Sequence, residues 1–245
     1  MKYFKIILFS FLIISSSNAN TIFYLIKIPN LNIYEDNSNN GLKYLYPSKS
    51  FEAGIMEKSV RCNMFKKNDY KENFENIKKN FDKYSTNFIG KINLKFIVLC
   101  KDLYIGNIKA LGFANHSKRT IILDISFDKS NIGRIAHHEL FHILNDNYKE
   151  IFNYNDWKSF NFNNFNYSKC STCSTSFDLE LLDNTNGFLT EYSKSTISED
   201  MAETFSFLMT DYKNILKKSK NDKILIKKIN FIEKKIFEID KQFKF

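Results

Sequence analysis

Proline and glycine are scarce in this chain, at 2 and 7 of 245 residues, and its four cysteines are too few for a dense disulfide framework. Collagen-like, low-complexity and disulfide-dense classes are thereby excluded. A long apolar run is also missing: spanning a bilayer takes about 20 residues, the stretch Ile6 to Ile14 falls far short, and no later segment approaches that length. Histidine occurs four times, and three of the four crowd into HHELFH at 137–142. What remains is a globular profile, 43% hydrophobic and 16% aromatic, in a chain long enough for one sizeable core. The expectation is a single domain over 20–245 with an N-terminal α/β lobe over about 20–130 and a helical lobe over about 131–245.

The first residues have the layout of a secretory signal peptide. Lys2 and Lys5 precede the apolar run, and Ser17 and Ala19 supply the small residues read at a cleavage site, so residues 1–19 are expected to be removed. The mature protein is then secreted or periplasmic, without stable membrane insertion. In an oxidising compartment an even cysteine count favours disulfides, and the preferred pairing joins Cys62 to Cys100 and Cys170 to Cys173. Reading CSTC as half a structural zinc site fails for want of a second ligand pair nearby.

The net charge is +9, and residues 213–245 hold eleven lysines against four acids. This basic tail is either a patch for an anionic partner or, as its helical apolar stripe favours, the solvated face of a packed helix. No nucleic-acid partner is expected.

Residues 21–34 are expected to form one or two strands. Tyr70, Phe74, Ile77, Phe81 and Tyr84 recur at helical spacing over 69–84, whereas 92–100 and 119–127 are β-branched and apolar enough for strands. Between these strands an irregular connection or edge strand carries ALGFANH. A helix begins near Asn131 and bears the histidine cluster. Residues 149–190 lack periodicity and are expected to cross over as a long loop, with Trp157 as a core anchor. Helices follow over 197–216 and through the C-terminal stripe Leu225, Ile229, Ile232, Ile236, Ile239 and Phe243.

His138, Glu139 and His142 spell H-E-x-x-H. Residues i and i+4 lie one above the other on a helix, so both imidazoles can reach one ion, and Glu139, about 100° around the axis, can address a water there without ligating. His137 points to the far side and is set aside, and His116 is expected to be a loop residue. Two histidines alone make a poor zinc site; a third ligand is required. EYSKSTISEDMAETF offers Glu199 and Glu203, again i and i+4: one carboxylate can ligate while the other accepts a histidine ring N–H. The competing explanation, a capping box Thr196-x-x-Glu199, leaves the second glutamate unexplained.

H-E-x-x-H followed by a helix with a ligand Glu resembles the gluzincin class of zinc metallopeptidases. With Tyr192 seven residues before Glu199, the chain is similar to the catalytic domain of the anthrax lethal factor family, and to a group of small exported bacterial proteins classed as zinc metallopeptidases. The likeness covers roughly residues 119–212. It implies an α+β, zincin-like fold with a short mixed sheet, an active-site helix and a helical C-terminal lobe. It further implies one Zn2+ per chain on His138, His142 and Glu199, Glu139 as general base, Tyr192 as the oxyanion-stabilising hydroxyl and Glu203 behind a ligand. The crossover here is longer and contains cysteines, and large substrate-recognition domains are missing, so nothing about that toxin's substrates carries over. The function expected is hydrolysis of peptide bonds in a peptide or protein substrate. The alternatives are an exported zinc-containing binding or effector protein without turnover, and a helix bundle whose histidines bind nothing.

Overall fold

The computed structural model describes residues 31–35, 38–55, 58–172 and 179–245. The segment 1–19, most of the first strand region and Cys173, with its expected bond to Cys170, lie outside those residues.

One mixed sheet holds eight strands: β1 (Leu31–Glu35), β2 (Lys43–Pro47), β3 (Phe51–Ile55), β4 (Lys58–Asn63), β5 (Phe96–Ile105), β6 (Ile108–Lys109), β7 (Gly112–Asn115) and β8 (Thr120–Asp124). It is larger than the short sheet expected. β5 is its axis. The first half of β5 runs parallel to β2 on one side and to β8 on the other, with Ile97 opposite Tyr44 and Ile121. Its second half pairs antiparallel with β4 and β6. β1 flanks β2 and β3 flanks β4, while β7 lies antiparallel to β8 and pairs with no other strand among the described residues.

Alternation along the central strands divides the interior in two. Ile97, Leu99, Ile121 and Leu123 face the main core beneath the helices, and Phe96, Val98, Cys100 and Ile122 face a smaller one with Val60 and Cys62. Burial on both faces explains the unbroken apolar run at 96–100. The Cys62–Cys100 disulfide forms as expected and lies in the smaller core.

β5 starts later than the apolar pattern suggests. Asn93 takes a left-handed φ of 56°, and the Leu94 N–H reaches back to the Ile89 carbonyl, so Ile92–Lys95 close the preceding helix before the strand begins. β8 stops at Asp124 because its carboxylate turns inward and accepts N–H bonds from Asp102, Leu103 and Ser126.

Six α-helices are described: α1 (Lys71–Phe81), α2 (Thr86–Lys91), α3 (Lys129–Asn147), α4 (Tyr154–Lys158), α5 (Ile197–Ser219) and α6 (Lys223–Ile239). α1 buries Phe74, Ile77 and Phe81, as its spacing predicts. α4 interrupts the expected loop over 149–190, and a 3-10 turn at Tyr192–Lys194 follows it. In α5 the helical dihedrals lapse once, at Asp211. The C-terminal stripe holds through Ile239, the last residue of α6, but Phe243 lies beyond the helix, where the chain folds back to pack it on Tyr84, Phe88 and Phe205. Helix α3 is central: nearly every side chain from Ile132 to Asn145 is buried, between α1, the β7–β8 edge and α5.

Candidate metal centre

Helix α3 starts with Asp128 capping the Ser130 N–H. Its back face is pinned to α1. Gly133 permits close approach there, since a Cβ at that position would stand 2.9 Å from the Asn80 side-chain carbon. Asn80 donates to the Asn76 carbonyl at 2.9 Å, which leaves its oxygen to accept from His137 Nε2, also at 2.9 Å. His137 Nδ1 then accepts from the Tyr84 hydroxyl at 2.5 Å. Burial drives the His137 pKa well below the usual histidine value, so the ring stays neutral. His137 therefore lies outside the metal cluster, as expected, and serves as an anchor of the helix that carries it.

The front face carries Arg134, His138 and His142 at four-residue spacing, opposite Glu203, Glu199 and Ser198 of α5. The two helices run antiparallel, because Arg134 meets Glu203 while His142 meets Ser198. Thr196 caps α5 by accepting the Glu199 N–H at 3.2 Å. The capping explanation is thus half right: the hydroxyl caps, and the Glu199 carboxylate turns to the imidazoles instead. Glu199 Oε2 lies 2.9 Å from His138 Nε2 and 3.3 Å from His142 Nε2, and the two nitrogens are 3.1 Å apart. Neighbouring donor atoms around tetrahedral zinc with bonds of about 2.0–2.1 Å stand roughly 3.3 Å apart, so these three atoms have nearly the spacing the ion requires. Together they form a cluster able to hold a metal ion.

The electrostatics agree with the donor set. Burial disfavours a charged His138, yet hydrogen bonds to Glu199 and Glu203 overcome it and push the pKa up to about 10. His142 is likewise raised: Glu199 outweighs burial. Burial would raise the pKa of Glu199, but the two histidines hold it well below the carboxylate range. A pocket that draws protons onto two adjacent imidazoles has the negative potential a divalent cation needs.

Behind the cluster, Glu203 accepts from His138 Nδ1 at 2.9 Å and from the Thr190 hydroxyl at 2.9 Å. Arg134 grips both oxygens of Glu203 at 3.0 and 2.9 Å, donates to the Leu179 carbonyl and lies over the Phe207 ring. His142 Nδ1 is 3.1 Å from Ser198 Oγ. The Glu203 carboxylate can only accept, so it holds the proton on His138 Nδ1 and leaves Nε2 of a neutral ring facing the cluster, while Ser198 orients the His142 ring with its Nε2 towards the same point. Glu139 is buried beside the cluster, and burial raises its pKa against the lowering effect of both histidines. The Tyr192 ring centroid is 6.0 Å from that of His138. Burial, then the charges of Glu199, Glu139 and Glu203, raise the Tyr192 pKa and keep its hydroxyl protonated.

One residue further along α5, Asp200 is fully buried. Its Oδ2 accepts from Trp157 Nε1 at 2.8 Å, the Tyr167 hydroxyl at 2.6 Å and Lys228 Nζ at 2.6 Å. Trp157 is therefore a core anchor with a polar task as well. His116 pairs with Asp146 at 3.1 Å rather than with the cluster.

Sequence reasoning missed Arg134, Thr190, Ser198 and Asp200. The Arg134–His138–His142 spacing was the signal available for Arg134; the others meet the site through tertiary contacts.

The sequence profile of a family described as "Putative zinc-binding metallo-peptidase" matches residues 33–241. A search of curated proteins found no match.

Proposed function

The chain belongs to this zinc-binding metallo-peptidase family, and on that premise we propose that it is an exported zinc metalloendopeptidase of zincin-like fold. One observation carries the reading: two imidazole nitrogens and a carboxylate oxygen converge within 3.3 Å of one another, and a buried glutamate that is no part of that set stands beside them. Three protein ligands leave a fourth position open, which is the arrangement of catalytic rather than structural zinc.

His138, His142 and Glu199 hold the ion, and Glu203 with Arg134 fixes the ring of His138. When bound, zinc supplies Lewis-acid polarisation of a water and of the substrate carbonyl. Glu139 takes a proton from the attacking water onto its carboxylate and passes it to the leaving amine. Its raised pKa suits a group that must both accept and return a proton. The Tyr192 hydroxyl, kept protonated, donates to the oxygen on which negative charge develops. An extended substrate segment pairs with the outer edge of β7, over α3, so that its backbone supplies hydrogen bonds and register.

The test is cleavage of an unstructured protein by zinc-loaded wild type and by Glu139→Gln. The wild type should release peptides, and the variant should retain zinc and lose at least about 10²-fold in rate. Equal rates would contradict the mechanism. Zinc without turnover in the wild type would favour the binding or effector alternative.

A further inference from the structure

Strand β7 places its only glycine where α3 brings Glu139. A Cβ built on Gly112 would stand 2.5 Å from Glu139 Cγ, 2.6 Å from Oε1 and 2.7 Å from Cδ, all closer than a real methyl group approaches another atom. The backbone gives no reason for a glycine, since Gly112 is not among the residues with positive φ. Its neighbours show which way the strand faces: Phe113 packs on the smaller core, and Ala114, two residues on, packs with the main core. Position 112 thus faces α3, and its missing side chain is the space that the Glu139 carboxylate occupies.

Resting on the peptidase reading, we propose that Gly112 is a positioning residue for Glu139. It lets the general base lie flat beneath the edge strand and blocks no rotamer that the base needs. The atoms a methyl group would meet run along the Glu139 side chain from Cγ to the carboxylate, which can turn away about the side-chain bonds. Alanine should therefore be accommodated by displacing the carboxylate, and the sheet should stay in place. The cost falls on proton transfer, because a base moved by about 1 Å can lose about 10²-fold in rate. The three atoms nearest the new methyl all belong to Glu139 and none to a metal-binding residue, so metal binding should be spared.

Gly112→Ala tests this, with wild type and Glu139→Gln as references. The expected result is unchanged zinc stoichiometry and KM with kcat lower by about 10²-fold. A second arm uses metal-free protein: Gly112→Ala should lower the melting temperature, and the same substitution in a Glu139→Ala background should not, because the colliding atoms are gone. Wild-type kcat in Gly112→Ala overturns the proposal. So does a parallel loss of zinc, or equal melting shifts in both backgrounds, either of which marks a general packing role. An inactive wild type overturns the peptidase reading itself and is told apart by its own failure in the reference assay.

Discussion

His138 is held at both ring nitrogens, by Glu203 on one side and by the ligand cluster on the other. Glu203 can do this because Arg134 neutralises it in a site where a lone carboxylate would be costly. Glu203→Gln should weaken zinc binding about 10- to 100-fold, measurable by competition with a chromophoric chelator; unchanged affinity would show that the ring needs no such partner. Zinc affinity should also depend on pH with a definite sign. Against burial, Glu199 and Glu203 push the His138 pKa up to about 10, so its ring carries a proton at neutral pH without the ion; His142 is shifted in the same direction, and zinc must displace bound protons. Affinity therefore falls as pH falls. Calorimetric titration in two buffers of different ionisation enthalpy should register proton release on binding, and no difference between buffers would contradict the charge assignment.

At the scale of elements, α5 must present Glu199 and Glu203 at a fixed rotation, and Asp200 between them is the lock. Its bonds to Trp157, Tyr167 and Lys228 tie α5 to α4, to the crossover and to α6, and Lys228 also donates to the Gly187 carbonyl at 2.7 Å. Both members of the Lys228–Asp200 pair are fully buried. Lys228→Met would leave a charge uncompensated there and should cost about 3–5 kcal/mol, read from urea unfolding; a loss within a few tenths would refute the lock. Much of this helical framework was legible from periodicity, because Phe74–Ile77–Phe81 and Met201–Phe205–Leu208 each mark a face that must be buried. The H-E-x-x-H helix and its facing carboxylates were legible for the same reason, since i, i+4 spacing survives any tertiary arrangement. Strands β2, β3 and β4 were not: at five or six residues their alternation is too brief to stand out. The Asp200–Lys228 and Gly112–Glu139 contacts join separate elements, and no local pattern encodes them.

Across the whole molecule, the disulfide and the candidate metal cluster occupy opposite faces of the sheet. The Cys62–Cys100 bridge closes a loop of 38 residues in the smaller core, whereas the cluster's histidines are carried by α3 on the other side. On loop entropy the bridge contributes about 4 kcal/mol, so reduction should lower the unfolding midpoint and leave zinc content unchanged; zinc loss on reduction in the folded state would show that the two faces are coupled. The claim on which the rest depends is that His138, His142 and Glu199 together hold one zinc. Metal analysis of purified protein spanning residues 20–245, alongside a His138→Ala/His142→Ala variant shown to be folded, tests it directly. One zinc per wild-type chain and none in the variant is the expected result; a zinc-free wild type, or a variant that keeps its metal, would show that these three residues do not hold the ion.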